Sequence, residues 1–361
     1  MNQTLKVGLA LSGGGAIGAY QVGVVNALAE SGTQVDVIAG ASIGALNGAI
    51  LASSPSLDAG AARLREIWQH LGSNNVLQLN KSIYLRFITQ FGLSMGLTPV
   101  LGKMGWLVSN LMAQLGVSRL TTLQQDESLL SDQPLMDLMN RFLAPDELAS
   151  GIPLHVSLYP TDGGIADILR CLLAEVGGSE TNASEFQLVQ ALPTALQKEA
   201  LLASAALPLL FKPREINGKR YSDGGMGGWS AVQGNTPVTP LVAAGCNCII
   251  VTHLSDSSLW DRHSFPDTTI LEIRPRTTLR RNQGTLGGAK DLLGFSAENI
   301  QSWSEQGYLD TIAALERIKA PMQARQQLQA SHTRWDESTS HDSESQDRLQ
   351  DALARIKPSG R

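Results

Sequence analysis

The sequence is poor in cysteine and carries little excess charge, and each shortage argues against one class of protein. Its three cysteines, Cys171, Cys246 and Cys248, are too few and odd in number to form the framework of a disulfide-stabilised domain. The formal net charge of the 361 residues is −5, so the basic surplus typical of nucleic-acid binding is missing. We expect a globular protein with one large core that does not bind nucleic acid.

Long uninterrupted apolar segments are also missing. The first residues, MNQTLKVGLALSGGG, contain no basic region followed by the apolar run of a signal peptide. Glycine and proline interrupt the apolar stretch between Phe87 and Val117, in which Lys103 is the only charged residue. We therefore expect a cytoplasmic protein without a transmembrane anchor, in peripheral contact with a membrane at most.

The weakly charged stretch at about residues 80–120 allows two interpretations. Buried helices over one face of a sheet would be apolar for ordinary packing reasons. A helical cap inserted into the domain would instead contact a membrane surface or acyl chains. Trp106 lies in the middle of this stretch. Both interpretations stay open at this point.

Strand and helix patterns alternate in the first part of the chain. Apolar runs at residues 7–11 and 35–40 predict strands, and each is followed by a segment with helical spacing of apolar residues. This β-α-β-α order predicts an α/β fold with a mainly parallel central sheet. We expect one domain over residues 1–320, ending in a helix at 298–319. The polar residues 321–361 are expected to form a mobile link and a short final helix.

The pentapeptide GASIG at residues 40–44 fits the pattern G-x-S-x-G. It follows a predicted strand and opens a predicted helix, as a nucleophile elbow requires. Gly40 and Gly44 allow the close backbone approach of such a turn, and Ser42 is lifted to the helix N-terminus. There the helix dipole and the N–H of Ile43 favour a developing oxyanion. Alternatively, Ser42 is a plain helix N-cap.

Three consecutive glycines, Gly13, Gly14 and Gly15, occupy an earlier strand-to-helix turn, where several N–H groups converge on one anion. The string GGGAIG also matches the dinucleotide-binding pattern G-x-G-x-x-G. That function requires an acidic residue at the far end of the second strand. Asp36 lies at the near end of that strand, which argues against it.

A third motif, Asp223-Gly224-Gly225, follows a predicted hairpin. An ordinary Asp-Gly turn would explain it. A serine nucleophile needs a base, however, and few other carboxylates are well placed. The histidine best placed to act as a base in a Ser-His-Asp triad is His253, at the end of a late apolar run.

The three motifs, in this order, resemble those of the patatin-like phospholipases. The segments SAALPLLFKP, NTPVTPLVAAGCNCIIV and EQGYLD also look like that family, so that the resemblance spans roughly residues 5–320. It implies a three-layer α/β sandwich and a Ser-Asp dyad, in which Ser42 attacks a lipid ester and Asp223 is the general base. It also implies an oxyanion hole from the N–H groups of Gly13, Gly14 and Gly15, with no metal and no cofactor. The implied partners are a phospholipid or other lipid ester, a membrane surface, and a second copy or regulatory protein.

Two features depart from the family pattern. Ile17 stands where the glycine-rich loop commonly carries Arg or Lys, and the loop from Met226 to Gly234, which contains Trp229, is longer than expected. Two alternative functions follow. One is a patatin-like protein that binds lipid or a partner with weak or no turnover, and the other is a Ser-His-Asp α/β-hydrolase that uses His253.

Overall fold

A computed structural model describes most of the chain. It covers residues 4–73, 133–143, 145–162, 167, 170, 180–207, 211–228, 233–255, 260–282, 291 and 294–356. Numbered within these residues, the strands are β1 (Val7–Leu11), β2 (Val37–Gly40), β3 (Leu154–Pro160), β4 (Glu185–Leu188), β5 (Arg214–Ile216), β6 (Lys219–Asp223), β7 (Cys248–Thr252) and β8 (Thr269–Ile273). The helices are α1 (Ala19–Glu30), α2 (Ile43–Ala52), α3 (Leu57–Ser73), α4 (Gln133–Phe142), α5 (Pro145–Ser150), α6 (Thr194–Ser204), α7 (Thr239–Ala243) and α8 (Ala297–Ile356).

The eight strands form one central sheet. Hydrogen-bonded neighbours follow the order β5-β6-β3-β2-β1-β7-β8, and β4 pairs with β3. The pairs β3–β2, β2–β1, β1–β7 and β7–β8 are parallel, whereas β4, β5 and β6 join by antiparallel pairing. The predicted α/β fold with a mainly parallel sheet is therefore confirmed.

Side chains alternate between the two faces of the sheet. On one face, Ala10, Ala39 and Val251 join a buried cluster with Leu241 of α7. On the other, Leu11 and Ile38 contact α2 at Gly48, where an added β-carbon would lie 3.1 Å from Ile38 Cγ2. Helices thus cover both faces, which explains why the central strands are apolar throughout and not in alternate positions only.

Helix α8 differs from the sequence prediction. The expected break after residue 319 is absent, and one helix continues from Ala297 to Ile356. Ser and Thr disfavour helix interiors because their hydroxyls compete for backbone groups. Here Thr333 and Thr339 donate their hydroxyls to the carbonyls one turn earlier, at 3.1 Å and 2.9 Å, so the helix accommodates them. Two compact units, Met1–Thr311 and Ile312–Arg361, divide the chain within this helix.

The first part of α8 packs closely on α1. A β-carbon on Gly23 would lie 1.8 Å from the carbonyl oxygen of Ser304, and one on Gly307 would lie 2.0 Å from that of Tyr20. Only glycine permits this approach. The Tyr20 hydroxyl donates to the buried Asp310 carboxylate at 3.1 Å. Residues of the EQGYLD segment therefore hold α1, which begins directly after the glycine-rich loop.

The predicted cap at about residues 80–120, with Trp106, lies outside the described residues. Within the described residues, no helix is long and apolar enough to cross a membrane.

Candidate active site

The GASIG segment forms a sharp turn between β2 and α2, as predicted. Ser42 has φ 51° and ψ −124°, a conformation that L-residues rarely adopt. A β-carbon on Gly40 would lie 2.4 Å from the carbonyl oxygen of Gly44, and one on Gly44 would lie 2.2 Å from that of Leu11. Both positions therefore require glycine. The Ser42 side chain makes no capping bond to α2, so the plain N-cap explanation of this serine is wrong.

Sheet register places Asp223 opposite the elbow. Val156 of β3 pairs with both Gly40 of β2 and Gln187 of β4, and Leu158 pairs with both Glu185 of β4 and Asp223 of β6. A strand residue has one neighbouring strand on each side, so β4 flanks one edge of β3 while β2 and β6 share the other. Since β2 is parallel to β3 and β6 is antiparallel, their C-terminal ends face each other.

The Asp223 carboxylate is buried beside the Ser42 hydroxyl. Asp223 is 3% exposed, and one oxygen, Oδ1, accepts the Gly225 N–H at 2.9 Å. The other oxygen, Oδ2, has no hydrogen-bond partner of good geometry among the described residues, although the Ser42 hydroxyl lies close enough to lower the pKa of the carboxyl. Burial dominates and raises the pKa of Asp223 to about 6, and the Ser42 and Gly225 donors oppose this rise.

The glycine-rich loop runs beside the elbow. A β-carbon on Gly13 would lie 3.0 Å from Cβ of Ser42. The N–H of Gly13, which was expected to face an oxyanion, donates instead to the backbone oxygen and to Oδ1 of Asn235, at 3.3 Å and 3.1 Å. Gly14 and Gly15 are partly exposed, and in the described part of the chain no group accepts their N–H or that of Ile43.

Buried polar side chains of α1, α2 and α3 support this loop. Gln21 donates to the carbonyl oxygen of Ser12 at 2.7 Å, and Asn47 donates to Gln21 at 2.8 Å. The indole N–H of Trp68 in turn donates to Asn47 at 3.0 Å. Leu254 packs against Gly14, where an added β-carbon would lie 2.7 Å from Leu254 Cδ1. The loop is thus held by neutral groups and apolar packing, without a cation at position 17.

His253 is directed to a different partner. Its ring nitrogen Nε2 lies 3.0 Å from the Glu272 carboxylate, which also pairs with Arg274 at 2.6 Å. Burial lowers the pKa of His253, so the neutral ring donates to Glu272. The hydrogen bond from His253 is the largest of the effects that lower the pKa of Glu272 to about 2. This buried pair gives His253 a structural role and does not favour a Ser-His-Asp triad.

Two further residues contact the site, and their roles are not evident from the sequence motifs. Ser204, at the end of α6, accepts the Ser42 N–H on its hydroxyl at 3.1 Å. Asn235 bonds to the glycine-rich loop. Both lie in segments that resemble the family, SAALPLLFKP and NTPVTPLVAAGCNCIIV, and that resemblance was the one available signal. Trp229, in the loop from Met226 to Gly234, lies outside the described residues.

Comparison with known proteins agrees with these motifs. A family model described as patatin-like phospholipase matches residues 9–242, more than half of the chain. The relatives include lysophospholipase nte1 of Aspergillus terreus, 46% identical over 68 residues, and neuropathy target esterase sws of Drosophila melanogaster, 41% identical over 74 residues. These alignments cover 19% and 20% of this chain but only 4% and 5% of the relatives. The chain thus matches a small part of much longer proteins.

Two solved structures match this chain at low sequence identity. VipD from Legionella pneumophila gives a TM-score of 0.42 at 15% identity, with 87% of this chain and 67% of VipD covered. The type III effector ExoU gives 0.35 at 16% identity, with 87% of this chain and 53% of ExoU covered. Both TM-scores are below 0.5, so the assignment depends on the family model and the site motifs. The chain belongs to the patatin-like phospholipase family.

Proposed function

We propose that this protein hydrolyses fatty acyl esters of lipids, with Ser42 as the nucleophile and Asp223 as the general base. One observation carries the proposal. A strained elbow presents the Ser42 hydroxyl to a buried carboxylate whose second oxygen has no other protein donor in the described chain. Family membership supports lipid as the substrate class.

The chemistry requires two steps. Ser42 Oγ attacks the ester carbonyl while Asp223 accepts the hydroxyl proton, and the alcohol part of the lipid leaves with that proton. Asp223 then removes a proton from water, which attacks the acyl-enzyme, and Asp223 returns that proton to Ser42 Oγ as the fatty acid is released. A carboxylate with a pKa of about 6 is a stronger base than an exposed aspartate and is still mostly ionised at neutral pH. We expect activity to rise as pH increases through about 6.

The oxyanion is assigned to the N–H groups of Gly14, Gly15 and Ile43. These groups have no acceptor in the described chain, and the loop that carries two of them passes within contact distance of Ser42. The N–H of Gly13 is excluded from this set because it already donates to Asn235. Two or three preorganised donors suit an acyl-transfer intermediate.

The alternative of lipid binding without turnover is suggested by Ile17. A missing cation would matter most if it were needed to hold the loop. The bonds to Asn235 and Gln21 support the loop without it, which favours catalysis. Peripheral membrane contact and a cytoplasmic location belong to the same proposal.

The test is release of free fatty acid from phosphatidylcholine and phosphatidylglycerol vesicles, with a short-chain soluble ester in parallel. Ser42→Ala and Asp223→Ala are each expected to lower turnover by at least about 1,000-fold. Ser54→Ala is the matched control, since Ser54 lies just beyond the other end of α2 and its hydroxyl bonds to the Ile50 carbonyl. It should retain activity.

His253→Ala separates the dyad from a triad. It should keep most of the activity, at some cost in stability. An inactive His253→Ala together with an active Asp223→Ala would replace the dyad with a Ser-His-Asp mechanism. Vesicle binding without any Ser42-dependent hydrolysis would favour the non-catalytic alternative.

A further inference from the structure

Asn235 joins the two halves of the candidate site. Its side chain accepts the Gly13 N–H at 3.1 Å and donates to the Gly13 carbonyl at 3.4 Å. Its backbone oxygen also faces the Gly13 N–H, at 3.3 Å. The next residue, Thr236, shares a buried hydroxyl–hydroxyl bond of 3.0 Å with Ser12. Two successive residues after the Asp-Gly-Gly turn therefore bind two successive residues of the glycine-rich loop.

Asn235 also contacts the turn that carries the base. A β-carbon on Gly225 would lie 2.7 Å from Asn235 Oδ1 and 3.1 Å from Asp223 Oδ1. The Gly225 N–H is the donor that holds Asp223 Oδ1. The Asn235 amide thus fills the space between Gly13, beside the nucleophile, and Gly225, beside the base.

We propose that Asn235 is a positioning residue for the hydrolytic reaction, which fixes the glycine-rich loop relative to Ser42 and Asp223. This inference rests on the proposed function. The three segments approach from separate parts of the chain, and Ser42 and Asp223 are fixed by the strands that carry them. The loop has no such strand after Leu11. The Asn235 amide adds to the support from Gln21 and Leu254, because it bonds both the N–H and the carbonyl of Gly13.

Asn247 provides a matched control. Its side chain accepts the Lys6 N–H at 2.9 Å and donates to the Thr4 carbonyl at 3.0 Å. This is the same kind of pair of hydrogen bonds between an asparagine side chain and the backbone, but it lies before β1 instead of after it. Asn247→Ala therefore removes equivalent hydrogen bonds at the opposite end of the strand.

The first measurement does not depend on activity. Hydrogen–deuterium exchange of the peptide spanning residues 12–18 should speed up at least about 10-fold in Asn235→Ala and remain unchanged in Asn247→Ala. The second measurement is steady-state hydrolysis of a short-chain ester. Asn235→Ala should lower kcat about 10- to 100-fold with KM within about 3-fold, because the loop donors are misplaced in the transition state. Asn247→Ala should keep kcat within about 3-fold.

Asn235→Asp tests both the hydrogen bond to Gly13 and the closeness of residue 235 to Asp223. The carboxylate still accepts the Gly13 N–H, so kcat at high pH should recover relative to Asn235→Ala. A new negative charge within about 6 Å of Asp223 should also move the acid limb of the pH profile to higher pH.

The outcomes separate this inference from the proposed function. Wild-type exchange rates in Asn235→Ala overturn the positioning role, whether or not the enzyme is active. If the wild type is active and kcat is unchanged in Asn235→Ala, the positioning role is also overturned. Equal losses of kcat in Asn235→Ala and Asn247→Ala overturn it as well. An inactive wild type whose exchange responds only to Asn235→Ala refutes the hydrolase and keeps the structural constraint on the loop.

Discussion

Removing the charge of Asp223 should stabilise the protein while inactivating it. An acid whose pKa is higher in the folded than in the unfolded state binds its proton more tightly when folded. Asp223 therefore stabilises the fold at low pH, and this contribution is lost as pH rises from 3.8 towards about 6. The gap between these values corresponds to about 3 kcal/mol at about 1.36 kcal/mol per pH unit.

Asp223→Asn keeps the shape of the side chain and an acceptor for the Gly225 N–H. Its gain in unfolding free energy over the wild type should be below about 1 kcal/mol at pH 4 and approach about 3 kcal/mol at pH 8. Urea unfolding at pH 4, 5, 6 and 8, followed by tryptophan fluorescence, measures this difference directly. The variant should show no ester hydrolysis at any of these pH values.

A control of opposite sign is available in Glu272. The pKa of this carboxyl is lowered to about 2, mainly by the hydrogen bond from His253, so it stabilises the fold above pH 4.5 and the contribution is lost as pH falls towards 2. Glu272→Gln should therefore be less stable than wild type at pH 8. If Asp223→Asn gives no gain in unfolding free energy, or the same gain at every pH, Asp223 is not a buried, ionised base.

Three further perturbations test the site. Ser42→Gly should be inactive yet more stable than Ser42→Ala by about 1 kcal/mol in urea unfolding, because only glycine adopts φ 51° without strain; equal stabilities would contradict a strained elbow. Gly44→Ala should lose about 3 kcal/mol or more, or fail to fold, since its β-carbon would lie 2.2 Å from the Leu11 carbonyl oxygen; a stable, active variant would count against this turn. Hydrolysis should persist in excess chelator, because a Ser-carboxylate dyad needs no Lewis acid; loss that Ca²⁺ restores would argue against the mechanism.

Local signals in the sequence are enough to predict the first two strands, the helices that follow them and the elbow. The apolar runs before Gly13 and Gly40, followed by helical spacing, correctly predict β1–α1–β2–α2. The glycines at 40 and 44 predict a close backbone approach, and the structure has it. These features depend on neighbouring residues, which is why patterns over a few turns suffice.

Contacts between distant segments were not accessible in the same way. Asp223 lies opposite Ser42 because β6 pairs with β3 in antiparallel orientation. Of the sequence signals, only the family resemblance suggested that these two residues act together. The roles of Asn235 and Ser204 require knowing which loops meet. Helix α8 was mispredicted for a different reason: its many Ser and Thr residues disfavour helix on average, and the helix retains them through bonds such as that of Thr333.

The facing ends of β2 and β6 have a consequence for biosynthesis. The proposed nucleophile, Ser42, follows a strand that ends at Gly40, whereas the proposed base, Asp223, is the last residue of its own strand. A nascent chain on the ribosome thus contains Ser42 while the 180 residues from 43 to 222 are still to be added before Asp223. Under the proposed mechanism, a fragment truncated before β6 has an elbow without its proton acceptor, and we expect it to be inert toward lipid. Competence for hydrolysis would then arise only after Asp223 has been translated and β6 has docked against β3.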